Sequence, residues 1–375
     1  HDGPRARAEP GKDNVRTDMN RRALVSSFPG RCRRQQGLTL IELMVALVIG
    51  LLIVAAVSML FVGSSRSRQQ VESTAEVSEN GRYAIDVLSR ELSQAGFYGS
   101  LVAPVAATTP IPSGTMTVAA AMCLTGTGNL AAWQDSLSYY ALGLGSAAGT
   151  SVDANPSCLT TRKAGTDAIF TQRASTCAVG AADCPAESNS NAYLQVSECG
   201  SEYSATPIVL GQGGSGSSTF TLQTKTCSGT PAPKRQLVRR IYFISTANRL
   251  SYQDIPLSGA LPDPPVVLAE NIEQMQIEYA FDTSTPADGT PDIFAAAPNP
   301  APAPAPNTDW TQVVGVRVWL LSRSTDSSLN TKNAADFVLG SDTTVHIDAN
   351  AAGNPKRRVY STYISFVTPK ARRES

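Results

Sequence analysis

The stretch that decides the fold reads Gly37-Leu38-Thr39-Leu40-Ile41-Glu42-Leu43-Met44-Val45-Ala46-Leu47, and it opens a long apolar segment. From Leu43 to Gly63 the chain has 21 residues without a charge. A helix rises about 1.5 Å per residue, so this segment is roughly 31 Å long and matches a bilayer core of about 30 Å. The sequence therefore predicts one membrane-spanning helix within residues 38–63.

The charges on either side of this segment predict its orientation. Residues 1–37 carry nine Lys or Arg and four acids, whereas the rest of the chain carries 22 basic and 27 acidic residues. Because basic flanks stay in the cytoplasm, we expect the leader inside and everything after the span outside. A start of translation at Met19 would give a leader from Met19 to Gly37 with five Arg and no acid, and the sequence leaves the start open. The apolar run is too long for an ordinary secretory signal, which would be cleaved near Val62-Gly63-Ser64.

The overall composition excludes several classes of protein. With 42% hydrophobic residues the chain can bury a core, and with 31 basic and 31 acidic residues it has no global field to hold nucleic acid. Aromatic residues make up only 6%, which argues against an aromatic-rich platform for sugars or bases. We therefore expect a folded protein that does not bind nucleic acid.

Glu42 is the unusual residue of the junction, because a carboxylate at the mouth of an apolar run is costly when it is unpaired. One reading is functional, with a cation from elsewhere pairing with it. The other is that Glu42 lies among lipid headgroups as an acid in the first turn of a helix, where the helix dipole favours it. The residues alone leave both readings open.

The junction resembles the class III signal of type IV prepilins and of type II secretion pseudopilins. Gly37 matches the residue before the cleavage point, Leu38 the first mature residue and Glu42 the fifth. The resemblance implies that a prepilin peptidase cuts between Gly37 and Leu38, that the new amine of Leu38 is methylated, and that Glu42 sets the register between subunits. Two departures are that many members carry Phe or Met at the first mature position, and that Met59 stands where many major pilins have a Pro.

Beyond the span, residues 64–96 predict the amphipathic second half of a stem helix. Apolar and small residues recur at spacings of three and four along one face, at Val77, Gly81, Ala84, Leu88, Leu92 and Ala95. Gly96 is the expected stop. We expect the face to pack on the globular domain, and a coiled-coil dimer is the alternative.

Residues 97–375 predict a β-rich globular domain, so the fold class is α+β, with an antiparallel sheet packed on the stem helix. Alternating apolar residues predict strands at Ser136–Leu142, Asp167–Gln172, Ala192–Val196, Thr219–Lys225, Gln236–Ser245, Arg249–Gln253, Ile272–Phe281, Val313–Ser322 and Val359–Val367. The Gly-rich stretch Gly211–Ser218 is expected at a hairpin tip. The Pro- and Ala-rich tract 295–307 predicts an extended loop, either a disordered insertion or an exposed recognition loop.

Three stretches of this domain resemble PilW-type minor pilins. They read Val267-Leu268-Ala269-Glu270-Asn271-Ile272-Glu273, then Gly315-Val316-Arg317-Val318-Trp319-Leu320, and finally Arg358-Val359-Tyr360-Ser361-Thr362. The resemblance implies a structural subunit that primes or caps the type IV pilus near its tip. The implied partners are a prepilin peptidase, other minor pilins, the major pilin, a tip adhesin and inner-membrane lipid. The implied location is the inner membrane, single-pass with the C-terminal domain in the periplasm, and later the pilus fibre.

Two alternatives stay open beside this reading. A large pseudopilin of a type II secretion system shares the stem chemistry and related motifs. A membrane-anchored periplasmic enzyme or ligand-binding module belongs to another class, and a polar cleft between residues 100 and 235 would favour it.

Six cysteines follow the span: Cys123, Cys158, Cys177, Cys184, Cys199 and Cys227. The seventh, Cys32, lies in the leader. An even set in an oxidising compartment predicts three disulfides, and of the possible pairings we favour neighbours along the chain.

Few residues suggest catalysis, a metal or a cofactor. His346 is the single histidine besides His1, so a multi-histidine metal site is excluded and we expect a structural protein without a cofactor. Asp282, Asp288 and Asp292 do not have the spacing of a Ca²⁺ loop. A basic cluster near the C-terminus is expected to be a solvated edge, with anion binding as the alternative: Lys356, Arg357, Arg358, Lys370, Arg372 and Arg373.

Overall fold

The computed structural model describes residues 37, 39–101, 121–145, 158–214, 219–258, 261–262, 264–298, 308–325, 335–341, 343–347 and 355–373. The leader up to residue 36, Leu38 and most of the Pro- and Ala-rich tract lie outside the described residues. The chain divides into two compact units, residues 1–63 and residues 64–375.

Helix α1 spans Leu40–Leu92 and belongs to both units. Every described residue up to Gly63 is exposed, including Leu40 and Phe61, which expose 77% and 75% of their surface. The most apolar 18-residue window of α1 has a mean hydropathy of 3.0. By length and composition this helix can cross a membrane.

The second half of α1 buries the face that its sequence predicts. Its buried residues are Ser73, Val77, Gly81, Ala84, Val87, Leu88 and Leu92. The helix ends at Leu92, three residues before the expected end, and a turn leads to Gly96. Gly96 has φ +74° and its N–H donates to the Gln172 carbonyl at 2.9 Å, so a left-handed residue is needed where the chain leaves the helix.

The globular part is built on antiparallel sheets, and the α+β prediction is confirmed. The strands of the seven-stranded sheet are β1 (Ala141–Leu144), β2 (Ala168–Ala178), β3 (Ala192–Val196), β4 (Ile208–Gln212), β5 (Lys234–Ile244), β6 (Leu250–Asp254) and β7 (Val266–Ala269). Their order is β1-β2-β5-β3-β4, and β6 pairs with both β5 and β7.

A second sheet has four strands in the order β13-β10-β8-β9. Its strands are β8 (Ile272–Phe281), β9 (Ile293–Ala295), β10 (Val313–Arg323) and β13 (Arg357–Ser365). Strands β11 (Ala335–Leu339) and β12 (Thr343–Ile347) form a separate hairpin. Short helices occur at α2 (Leu130–Asp135), α3 (Gly200–Tyr203) and α4 (Val367–Arg373), and 3₁₀ turns at Thr127–Asn129, Ser136–Ser138 and Trp310–Gln312.

The main core lies where the second half of α1 meets both large sheets. Ala84, Leu88 and Leu92 join side chains from β1, β2, β5, β6, β8, β10 and β13 in one cluster of buried residues. A smaller cluster surrounds Trp133 and Leu194. Burial of a large apolar side chain stabilises the folded state by about 1.5–3 kcal/mol, so this cluster is what holds the helix on the sheets.

Two acids of α1 also bind the globular part. The Glu91 carboxylate accepts hydrogen bonds from the Arg240 guanidinium at 3.1 Å and the Tyr242 hydroxyl at 2.9 Å. The Glu76 carboxylate accepts from the side chains of Asn271 and Thr325, both at 3.0 Å. These bonds fix the position of the helix along the sheets, because polar contacts are directional whereas apolar packing is less so.

Three strand predictions need correction. Ser136–Leu142 is wrong in its first half, since Ser136–Ser138 is a 3₁₀ turn and the strand begins at Ala141. Thr219–Lys225 is wrong, because this stretch makes only an isolated bridge from Gln223 to Pro231, and the chain soon turns through Cys227 with φ +51°. The last strand is Arg357–Ser365, because Val367 already belongs to α4.

We expect Gly81→Ala to destabilise the protein by about 1 kcal/mol. A Cβ at Gly81 overlaps the ring of Tyr360, and overpacking costs about 1–3 kcal/mol against about 1 kcal/mol gained in helix propensity. Denaturant unfolding of the detergent-solubilised full chain measures the difference. Gly63→Ala is the matched control, since nothing lies within 4 Å of a Cβ there, and it is expected to leave stability unchanged or higher. Equal stabilities for Gly81→Ala and wild type would contradict the close packing.

Candidate functional site

The junction at the start of α1 is the first candidate site. Thr39 precedes the helix, and its side-chain oxygen accepts the Glu42 N–H at 3.4 Å while its carbonyl accepts the Leu43 N–H at 3.1 Å. This cap places Glu42 in the first helical turn, where unsatisfied N–H groups favour a carboxylate. Gly37 lies two residues before the cap, and Leu38 is outside the described residues.

The surroundings of Glu42 are apolar. Ile41, Val45 and Ile49 line the shallow helix surface next to it. Within the described part of the chain, no cation lies within ion-pairing distance of the Glu42 carboxylate. A charge in such a setting is costly to remove from water unless a cation accompanies it. The carboxylate is therefore suited to accept a cation from outside the described part of the chain.

His346 lies on β12 and its Nδ1 contacts the Asp336 carboxylate of β11 at 2.7 Å. Both side chains are well exposed, at 74% and 64%. An exposed pair of this kind contributes about 0–1 kcal/mol. The pair links the two strands of the hairpin, where Asp336 and His346 lie opposite each other. Among the described residues no group of three or more His, Cys, Asp or Glu could hold a metal ion.

A cleft of about 190 Å³ lies between the segment after Cys158 and the strands β5 and β6. The polar side chains among its described lining are Thr160, Thr161 and Gln253, and Cys158 is disulfide-bonded. None of these is a titratable acid or base. The cleft therefore offers no general acid or base for the enzyme alternative.

Two charged groups with displaced pKa values lie inside the globular part and hold chain segments together. Burial lowers the pKa of Arg239 to about 9. Its guanidinium lies 4.0 Å from the centre of the Trp133 ring and donates to the carbonyls of Ala121 and Leu124. These contacts fix the chain on both sides of Cys123.

Glu273 is the second such group. Burial would raise its pKa, but the Arg357 guanidinium at 2.6 Å and the nearby charges of Lys163 and Arg323 hold the pKa below the ordinary value. The Lys163 ammonium also donates to the Glu273 carbonyl at 2.9 Å and to Asn248 at 2.8 Å. The cluster joins β8, β13 and the segment before β2. Displaced pKa values often mark catalytic sites, but here each has a structural cause.

The six cysteines form three disulfides in the structure: Cys123–Cys158, Cys177–Cys184 and Cys199–Cys227. These are the neighbour pairs favoured from the sequence. Each closes a loop around the seven-stranded sheet, and disulfides persist in oxidising compartments.

Two family models match the chain. Residues 32–58 match the prokaryotic N-terminal methylation motif, and residues 218–367 match the type IV pilus-assembly protein W family, PilW. Over residues 218–367 the chain is similar to PilW-type proteins. No curated protein and no solved structure matches it.

The PilW match runs from shortly after β4 to the first residue of α4, and it contains the three stretches that resemble PilW-type proteins. The first forms β7, the turn and the start of β8, the second lies in β10 and the third in β13. Strands β8, β10 and β13 are neighbours. Asn271 in the turn has φ +59° and binds Glu76 of α1, so this part of the PilW-type sequence also anchors the helix.

Sequence reasoning missed the roles of Glu76, Glu91 and Asn271. Glu76 and Glu91 are acids on an amphipathic helix, which local periodicity assigns to solvent. Their partners lie 149 to 249 residues away, so no local spacing indicates them. The Asn271 turn has a weak signal, because Asn is enriched in left-handed turns.

We expect Glu273→Gln to lower stability at pH 7 by about 1–2 kcal/mol, because it removes a charged hydrogen-bond acceptor from Arg357. The folded pKa of Glu273 is depressed, so its contribution is present above the unfolded value of about 4.3 and is lost as pH falls through the folded value. When the pH is lowered from 7 to below 4, the free energy of unfolding should therefore fall less for the variant than for wild type. Urea unfolding at a series of pH values measures this.

Glu270→Gln is the control for this prediction, since Glu270 forms an exposed pair with Arg249 and its loss should cost at most about 1 kcal/mol. Parallel pH profiles for wild type and Glu273→Gln would contradict the assignment.

Proposed function

We propose that this chain is a minor pilin, a structural subunit that primes or caps the type IV pilus near the filament tip after removal of its leader. One observation carries the proposal. The same chain has a methylation motif at the start of an exposed apolar helix and a region that is similar to PilW. The methylation motif accounts for the stem, and the PilW region distinguishes the body from that of other pilins.

The first step we propose is cleavage between Gly37 and Leu38 by a membrane-embedded prepilin peptidase. Glycine suits this position because its backbone can enter a narrow site in which a side chain would clash. Hydrolysis consumes one water and gives the Gly37 carboxylate and an α-amine on Leu38. The neutral amine then takes a methyl group from an external methyl donor, whose remainder leaves, and the methylated amine is protonated to the ammonium. The basic leader stays cytoplasmic, and the disulfide-bonded body lies in the periplasm.

The second step is insertion of the stem into the filament. The uncovered apolar surface between Leu40 and Val62 leaves lipid and packs against the stems of other pilins, so lipid, the other minor pilins and the major pilin are its successive surroundings. The Glu42 carboxylate then pairs with the α-ammonium of a neighbouring subunit. This pairing occurs in one axial register only, because a desolvated carboxylate tolerates no offset from its partner.

Deletion of the gene tests whether the protein belongs to a type IV pilus or to a type II secretion system. Loss of twitching and of surface pili with unchanged exoprotein secretion supports the pilus assignment. Loss of secretion with normal pili would assign the chain to a type II secretion pseudopilus instead. A complex at the tip further predicts that the remaining minor pilins and the tip adhesin no longer co-purify with sheared pili.

We expect Gly37→Val to abolish processing, because the side chain blocks entry of the backbone into the peptidase. Intact-mass measurement of the membrane-extracted protein should then find the leader still attached. Gly50→Val is the control, since Gly50 lies within the span with open space around a Cβ, and its leader should be removed. A Gly37→Val protein that is cleaved normally would refute the assigned cleavage point.

We expect Glu42→Ala to be processed like wild type but to enter filaments at least tenfold less. Loss of one member of a desolvated charge pair costs about 3–5 kcal/mol, and about 1.4 kcal/mol corresponds to tenfold. Quantitative immunoblots of sheared pili against total membranes measure incorporation. Glu72→Ala, at an exposed acid further along α1, should incorporate normally. Undiminished incorporation of Glu42→Ala would argue against the pairing.

A further inference from the structure

The three disulfides join the cysteines of the body in the order in which they follow one another along the chain. The first is bonded to the second, the third to the fourth and the fifth to the sixth: Cys123–Cys158, Cys177–Cys184 and Cys199–Cys227. None of these three loops crosses or encloses another. A chain that crosses a membrane with its N-terminal end first therefore presents each cysteine with its native partner as the next cysteine to emerge.

All six cysteines precede the strand that joins the seven-stranded sheet. Strand β5 begins at Lys234, after the last of them, and it pairs with β2, β3 and β6. Strands β1 and β2 pair with each other, as do β3 and β4. Among the described strands that come before β5, these two hairpins have no other connection. The last cysteine has therefore emerged before the sheet can be completed.

Two of the six cysteines are buried in the folded protein. Cys199 exposes 1% of its surface and Cys158 exposes 6%. Cys158 belongs to the main cluster of buried residues, together with Ile241 and Phe243 of β5. Thiol–disulfide exchange requires that the attacking sulfur reaches the sulfur under attack. An enzyme therefore has access to Cys158 before β5 packs against it and loses that access afterwards.

The contacts that position Cys123 in the folded protein also come from β5. The Arg239 guanidinium donates to the carbonyls of Ala121 and Leu124, on either side of Cys123. These hydrogen bonds are absent while the chain up to Cys158 emerges, so they do not select the partner of Cys123. The order of emergence selects the same partner, because Cys158 is the next cysteine.

We propose that the body is a substrate of a periplasmic thiol–disulfide oxidase, which closes the three bonds in the order in which the cysteines emerge, so that no disulfide isomerase is needed. The inference rests on the proposed function, because it requires that the body crosses the membrane. It goes beyond that function, since it assigns an enzyme class that acts on this chain before any filament is assembled.

Each bond is made in two exchange steps. A cysteine thiolate of the chain attacks the disulfide of the oxidase, which gives a mixed disulfide and releases one oxidase sulfur as a thiolate. The thiolate of the next cysteine then attacks the chain's sulfur in the mixed disulfide, and the second oxidase sulfur leaves. Each pair of cysteines thus gives two electrons and two protons to the oxidase, whose disulfide becomes a dithiol. The three bonds of one chain consume three oxidase disulfides.

The test expresses the full chain in a bacterial host and in matched strains that lack either the periplasmic thiol oxidase or the periplasmic disulfide isomerase. Free thiols are alkylated, and the unreduced protein is cleaved at Asp and Glu. At least one acid lies between any two neighbouring cysteines of the body, so tandem mass spectrometry of the peptides identifies every pair. We expect the three native pairs at full yield without the isomerase, and their loss in favour of free thiols without the oxidase.

Removal of one cysteine distinguishes the order of emergence from a preference for the native pairs. In Cys184→Ser, Cys177 has no native partner and the next cysteine to emerge is Cys199. We expect a Cys177–Cys199 bond in the strain without the isomerase, and its replacement by Cys199–Cys227 where the isomerase is present. The matched control carries both Cys177→Ser and Cys184→Ser, and it should form Cys199–Cys227 in both strains.

Three results would overturn the proposal. They are loss of the native pairs from wild type without the isomerase, native pairs at full yield without the oxidase, and a Cys199–Cys227 bond in Cys184→Ser that forms equally with and without the isomerase. Six free thiols in the wild-type chain, with both enzymes present, would instead contradict the proposed periplasmic location of the body and this inference with it.

Discussion

The structure depends on one constraint, which is that a single helix has apolar surface along both halves and the described part of the chain covers only one of them. The half from Val77 to Leu92 is buried against two sheets, and its removal from water stabilises the fold. The half from Leu40 to Val62 is exposed throughout, with side chains as large as Phe61. Such a surface is unfavourable in water and is stable in contact with lipid or with other helices. This half of the helix therefore belongs in a membrane or in an assembly.

The polar features of the stem follow from that constraint. The uncovered half has no charge after Glu42 until Arg66, because each charge would oppose its transfer out of water. Glu42 stands at the one place where the helix start favours a carboxylate. In the covered half the acids have another purpose, since Glu76 and Glu91 hold the helix in register on the sheets. In the function that we propose, the same residue type serves assembly at one end and folding at the other.

Local pattern was enough to predict the elements that face a core on one side. The buried face of α1 and the bounds of β3 and β8 agree with prediction, because helical or alternating periodicity is strong there. The strands β4, β7, β9, β11 and β12, which have three to five residues, were not predicted. Thr219–Lys225 alternates like a strand, yet it makes only an isolated bridge. A strand also needs a neighbouring segment to pair with, and local alternation does not reveal whether one is present.

The sheet that contains the PilW-like stretches also holds the second half of α1. Strands β8, β10 and β13 pack on α1 through one face, and the turn before β8 binds the helix through Asn271. The basic residues near β13 predict a solvated edge. Among the described strands β13 pairs with β10, and a groove runs between α1 and the middle of β13.

The N-terminus of the mature wild-type protein tests the central claim most directly. Membranes and sheared pili are each purified, and the protein is analysed by N-terminal sequencing and by tandem mass spectrometry of its first peptide. Our account predicts that the chain begins at Leu38, carries a methylated α-amine and continues with Thr39. A chain that retains its leader, or one that begins at Ser64 after cleavage of the whole apolar segment, would contradict the account.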